Sequence, residues 1–107
     1  MTNAARVLDA LGDPTRRAVF QRIRGGERSV TEICQGLKVT RPAVSQHLRV
    51  LKRARLVSDR AEGTRRMYTI DSRGLDTLRT WLDTFWDTTL TAFKEAAEFE
   101  AKKEAKR

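Results

Sequence analysis

A chain of 107 residues and 12.2 kDa, 39% hydrophobic and 34% charged, is long enough for one modest core, too short for a second domain and too apolar to stay unfolded. Its longest apolar run is three residues, 18–20, which excludes a membrane-spanning helix, and its opening lacks the basic-then-apolar pattern of a secretory signal, so a cytoplasmic location is expected. The formal charge is +8, and residues 38–66, with nine basic and two acidic side chains, carry +7 of it; such a cluster attracts a polyanion, of which nucleic acid is the commonest and an acidic membrane surface the alternative.

In chain order, residues 4–11 predict a short helix with Val7, Leu8 and Leu11 on its inner side, stopped by Gly12. Asp13 stands where it would cap a second helix, with Pro14 in the first turn and Val19, Phe20 and Ile23 as the apolar stripe. Ser29 and Glu32, three apart, form a capping box for a third, short helix whose Val30, Ile33 and Leu37 face inward. Cys34, the sole cysteine, cannot make an internal disulfide, and its apolar helical setting reads as a small buried hydrophobe more readily than as a redox thiol.

Thr40 is a good N-cap for a fourth helix over 41–54, with Pro42 tolerated in its first turn. Val44, Leu48 and Leu51 recur at i, i+4 and i+7 as its buried stripe, which leaves Arg41, Pro42, Ser45, Gln46, Arg49, Lys52 and Arg53 outside and His47 between the two faces. From Leu56 the period shortens to two, predicting strands over 57–60 and 65–70 around a turn at 61–64, with Tyr68 and Ile70 facing the core and Met67 and Thr69 facing away. From Asp71 a long helix is predicted, in which Leu75, Leu78, Leu82, Phe85, Thr89 and Phe93 alternate at three and four and Trp81, Trp86 and Leu90 widen the stripe. So many aromatics exceed what the chain's own core needs, and pairing with a second copy through Leu78, Trp81, Leu82, Phe85, Trp86 and Phe93 is the natural use. Past Ala97 the periodicity ends, giving an expected domain over 1–97 and a charged tail over 98–107 that frays.

The fold class expected is mainly α with a small β-hairpin wing: a winged helix-turn-helix with a long C-terminal dimerisation helix. The physics suits double-stranded DNA, since the N-terminal residues of a helix lying in the major groove reach base edges. Arg41 and Gln46 would pair with guanine and adenine, with Pro42 and Ser45 beside them, while Thr40, Arg49, Arg65 and Arg66 would hold phosphates or a minor groove.

The run VTEICQGLKVTRPAVSQHLRVLKRARLVSDRAEGTRRMYTI, with LGDPTRRAVFQRI before it, resembles the ArsR/SmtB family of winged-helix repressors over about residues 4–70. The resemblance implies recognition contacts at Arg41, Pro42, Ser45 and Gln46, a homodimer joined through its terminal helices, repression, a bacterial or archaeal origin and release by an effector. Metal-sensing members carry a Cys-x-Cys pair on the helix before the recognition helix; Ser29 and Thr31 fill those positions here, so no metal site and no cofactor is expected, and any small-molecule effector is of unknown identity. His47 reads as a half-buried histidine or a phosphate contact. No arrangement of nucleophile, base and orienting acid and no glycine-rich phosphate loop occurs, which argues against an enzyme. A homodimeric, autoregulatory repressor reading an imperfect palindrome is the leading expectation. The alternatives are a sequence-tolerant architectural or RNA-binding protein and an interaction module whose aromatic helix recruits a different protein.

Overall fold

The computed structural model describes residues 2–106: α1 (Asn3–Gly12), α2 (Pro14–Ile23), β1 (Arg28–Ser29), α3 (Val30–Cys34), α4 (Arg41–Arg53), β2 (Val57–Glu62), β3 (Arg65–Ile70) and α5 (Ser72–Ala105). The predicted caps are formed. Asp13 accepts from the Arg16 amide at 2.9 Å, the Ser29–Glu32 capping box is closed in both directions, and the Thr40 hydroxyl accepts from the Ala43 amide at 3.2 Å. The α1–α2 corner has a second fastening: Arg16 donates to the Ala10 carbonyl at 3.3 Å and Arg17 to that of Leu11 at 3.2 Å. The DPTRR sequence therefore caps both helices that meet there, the start of α2 through Asp13 and the end of α1 through the two arginines.

Val7, Ala10, Val19, Ile23, Ile33, Val44, Leu48, Leu51, Ala54, Leu56 and Val57 form one buried cluster drawn from all of α1–α4 and the start of β2. Phe20, Val30, Leu37, Tyr68, Ile70 and Leu78 pack against it from the rim, and so does Cys34, partly buried. Leu8 corrects the sequence reading: it is 42% exposed, because Ala4, Val7 and Ala10 form the inner face of α1 instead.

The sheet holds three antiparallel strands in the order β1-β3-β2, one more than the sequence predicted. Arg28 pairs with Tyr68 and Ser29 with Met67, which brings the start of α3 against β3 and buries Met67, expected to face away, to 7% exposure. Strand β2 runs to Glu62, so the predicted four-residue turn tightens to Gly63–Thr64, with Gly63 at φ +62 as the first position of such a turn requires. Helix α4 closes at Arg53, and Arg55 takes a left-handed φ of 60 to turn the chain into β2.

Helix α5 does not fray at Ala97 but continues through Ala105. Its last stretch is rich in Ala, Glu and Lys, strong helix formers, with Glu98 and Lys102 spaced i, i+4. Its first turn docks backbone to backbone on the end of α4: the Asp71 amide donates to the Leu56 carbonyl at 2.9 Å and the Gly74 amide to that of Arg55 at 2.8 Å. A Cβ on residue 74 would lie 2.7 Å from the carbonyl oxygens of both Ala54 and Arg55, so only glycine permits this approach. Among the described residues, no helix is long and apolar enough to cross a membrane.

Candidate nucleic-acid interface

Helix α4 buries Val44, Leu48 and Leu51 almost completely, and this fixes the face it shows to solvent. Thr40, Arg41, Pro42, Ser45, Gln46, Arg49, Lys52 and Arg53 are all exposed. Pro42, Gln46, Arg49 and Arg53 stand at the centre of that outer face, opposite the buried stripe, while Arg41, Ser45 and Lys52 lie along the flank nearest the sheet. Arg49 donates to the Gln46 side-chain oxygen at 3.4 Å, and the Gln46 NH2 group has no protein acceptor among the described residues.

The two wing arginines, grouped together by the sequence, stand on opposite faces of the hairpin because they are adjacent on β3. Arg66 shares its face with Tyr68 and is bound to Asp59, Nε to Oδ2 at 2.7 Å. The other oxygen of Asp59 receives Lys52 Nζ at 2.7 Å, and the carboxylate is only 7% exposed although both partners are more than half exposed. The two donated hydrogen bonds hold the Asp59 carboxyl below its ordinary range, so it stays ionised and ties the wing to the last turn of α4. Arg60, on β2, reaches the other way, to Glu27 before β1, with Nε 2.8 Å from Oε2.

Arg65 points to the α3 side. It lines a cleft of about 250 Å³ with Ser29, Val30, Thr31, Glu32 and Arg41, Arg66 reaching the rim while tied to Asp59, and there Arg41 donates to the Thr31 hydroxyl at 2.8 Å. Glu32 is held below its ordinary pKa chiefly by the Ser29 amide, which donates to it at 3.1 Å. Among the described residues, Lys38, Arg41, Arg49, Arg53, Arg55 and Arg65 form no ion pair, so most of the local excess charge is carried by exposed cations free to meet a polyanion.

Sequence reasoning placed Lys52 on the outer face of this helix but missed its pairing with Asp59, and it missed Asp59 and Thr31 as parts of this surface. The one available signal was a single aspartate opening a strand inside a basic segment. Ser29 and Thr31, where metal sensors carry cysteines, use their hydroxyls within the fold, Ser29 to cap α3 and Thr31 to receive Arg41. His47 is half-buried, within electrostatic reach of Asp13.

On α5, Trp81, Leu82, Phe85, Trp86, Leu90, Phe93 and Phe99 are all exposed, rising to 75% at Phe93, and Trp81 meets Phe85 edge to face at 4.8 Å. Leu78, expected on the same surface, is partly buried and packs against the chain's own core. Phe99 extends the stripe beyond the point where the sequence periodicity ends.

Residues 11–60 match the model of a helix-turn-helix domain family. Over 95 residues, 89% of this chain and 89% of the relative, the sequence is 52% identical to the HTH-type transcriptional regulator Rv2034 of Mycobacterium tuberculosis. It is 30% identical over 79 residues to the transcriptional repressor SdpR of Bacillus subtilis, covering 74% of this chain and 88% of that one. Among solved structures it is similar to the homodimeric winged helix-turn-helix DNA-binding domain of Mb0332 from Mycobacterium bovis, described as a possible ArsR-family transcriptional regulator, with a TM-score of 0.64, 31% identity and 82% of each chain covered. The likeness takes in α4, the hairpin of β2 and β3 and most of the flanking helices, and the chain belongs to the ArsR/SmtB family of winged helix-turn-helix transcriptional regulators.

Proposed function

We propose that this protein is a homodimeric, sequence-specific DNA-binding repressor that reads an imperfect palindrome and controls its own promoter. The observation that carries the reading is the outer face of α4, where the Gln46 amide, in contact with Arg49, stands among Arg41, Arg49 and Arg53, none of them in an ion pair among the described residues. Arginines and lysines hold phosphates whatever the sequence, whereas Gln46 can meet the N6 and N7 edge of adenine through two hydrogen bonds, worth about 1–3 kcal/mol against a wrong base. Thr40, Arg41, Pro42, Ser45, Arg49, Arg65 and Arg66 complete the proposed DNA surface. The repressor SdpR and the homodimeric Mb0332 domain support repression and dimerisation, and the uncovered stripe on α5 gives a second copy its place. Two copies so joined present two reading helices about 34 Å apart, one turn of the duplex.

Fluorescence anisotropy on duplex DNA from just upstream of the gene, with excess nonspecific competitor, tests this. Saturable binding that survives competitor and is lost in Gln46→Ala is the expected result. Equal affinity for scrambled duplexes would replace the reading with a sequence-tolerant architectural role. A monomer by light scattering would sink the dimer and leave α5 as a docking helix for another protein.

A further inference from the structure

Arg41 belongs to the reading helix, yet its side chain is not aimed where a base reader's would be. As the first residue of α4 its Cα–Cβ bond tilts toward the helix N-terminus, and its guanidinium runs back over the turn to the Thr31 hydroxyl on α3, 2.8 Å away. It lies on the flank of α4 that faces the sheet, off the axis of Pro42, Gln46 and Arg49. From the opposite wall of the same cleft comes Arg65, on the face of β3 that turns toward α3. Neither arginine has a carboxylate partner among the described residues. The one acid lining the cleft, Glu32, accepts from the Ser29 amide, sits 3.9 Å from Arg28 and lies within electrostatic reach of Arg65 without forming an ion pair with it. In helix-turn-helix proteins the helix before the reading helix crosses the sugar-phosphate backbone, and this cleft lies at that junction.

Resting on the DNA-binding reading above, we infer that the cleft between α3 and β3 is the seat of one backbone phosphate, clamped by Arg41 and Arg65, and that Arg41 positions the protein without reading a base. One N–H of Arg41 goes to Thr31, which fixes the fork, and the remaining donors match a phosphate's oxygens. Sequence choice then falls to Gln46 and its neighbours on the central face, and the wing's phosphate contact falls to Arg65, since Arg66 is committed to Asp59.

The test is selection from a pool of random duplexes by the full chain and by Arg41→Ala, followed by salt titration of Kd for both and for Arg65→Ala and Thr31→Val. All three side chains are exposed, and thermal unfolding confirms that the variants fold. Wild type and Arg41→Ala are expected to enrich the same motif, while Arg41→Ala and Arg65→Ala each make the slope of log affinity against log salt shallower by about 0.9, one phosphate's share. Thr31→Val should weaken binding in the same direction without altering the motif. A motif that loses a guanine position in Arg41→Ala would make Arg41 a base reader and overturn the inference, as would an unchanged salt slope. If the wild type enriches no motif, the sequence-specific reading fails, and the slopes on any duplex still decide whether the cleft holds a phosphate.

Discussion

Asp59 joins Lys52 of α4 and Arg66 of β3 through one nearly buried carboxylate. Replacing it by Asn leaves the geometry but removes the charge that two cations face, and Asp59→Asn is expected to cost about 1–3 kcal/mol of stability by thermal unfolding at neutral pH. The sign of its pH dependence follows from a native pKa held below that of the unfolded chain. The contribution is complete above the ordinary aspartate value of about 4 and drains away as pH falls through the lower native one, so wild type and variant should converge in acid. Arg66→Ala, which the sequence alone would assign to phosphate loss, should instead free the wing. It is expected to lower stability together with Asp59→Asn, the double variant losing less than the sum. The exposed residues of α4 were legible because a buried i, i+4, i+7 stripe fixes what lies opposite it. Asp59 was not, because its pairing with Lys52 depends on how β2 passes the last turn of α4, and no periodicity encodes that.

Elements with a strong local signal, the caps on α2, α3 and α4 and the apolar stripe that starts α5, were legible to within a few residues, whereas the last turns of α5, which carry no apolar period, were not. Strand β1 was not, since two residues cannot carry a period and their pairing with β3 is a long-range event. Met67 shows the consequence: its alternation was read as outward because the pairing that brings the start of α3 against β3 was invisible. Gly74 did carry a signal, being a glycine inside a helical pattern, which marks either weakness or close approach. Its contacts here are backbone carbonyls, which cannot move aside as a flexible side chain would. Gly74→Ala is therefore expected to destabilise the fold by about 1–3 kcal/mol, read as a lower unfolding midpoint, although alanine is the better helix former.

The described residues extend 76 Å along their longest axis and only 26 Å across, because the aromatic half of α5 runs on past the core that anchors its start. In one copy that half leaves Trp86 at 62% and Phe93 at 75% exposure, apolar surface of a size that water disfavours and a partner covers. A Trp86→Glu, Phe93→Glu double variant is expected to halve the mass seen by light scattering at micromolar concentration. It should also weaken operator binding by at least about tenfold, since each reading helix then binds without its mate. The winged body, whose buried cluster contains neither residue, should keep its fold by circular dichroism. The backbone bond from Gly74 to Arg55 has one more effect in such a pair. With α5 fastened to the end of α4, each reading head is carried by its own α5 like a jaw on the beam of a calliper, and little independent swivel toward a half-site is expected. Adding one base pair between the half-sites turns one of them by about 35° around the duplex. A pair of loosely hinged heads would tolerate that spacer; this one should reject it.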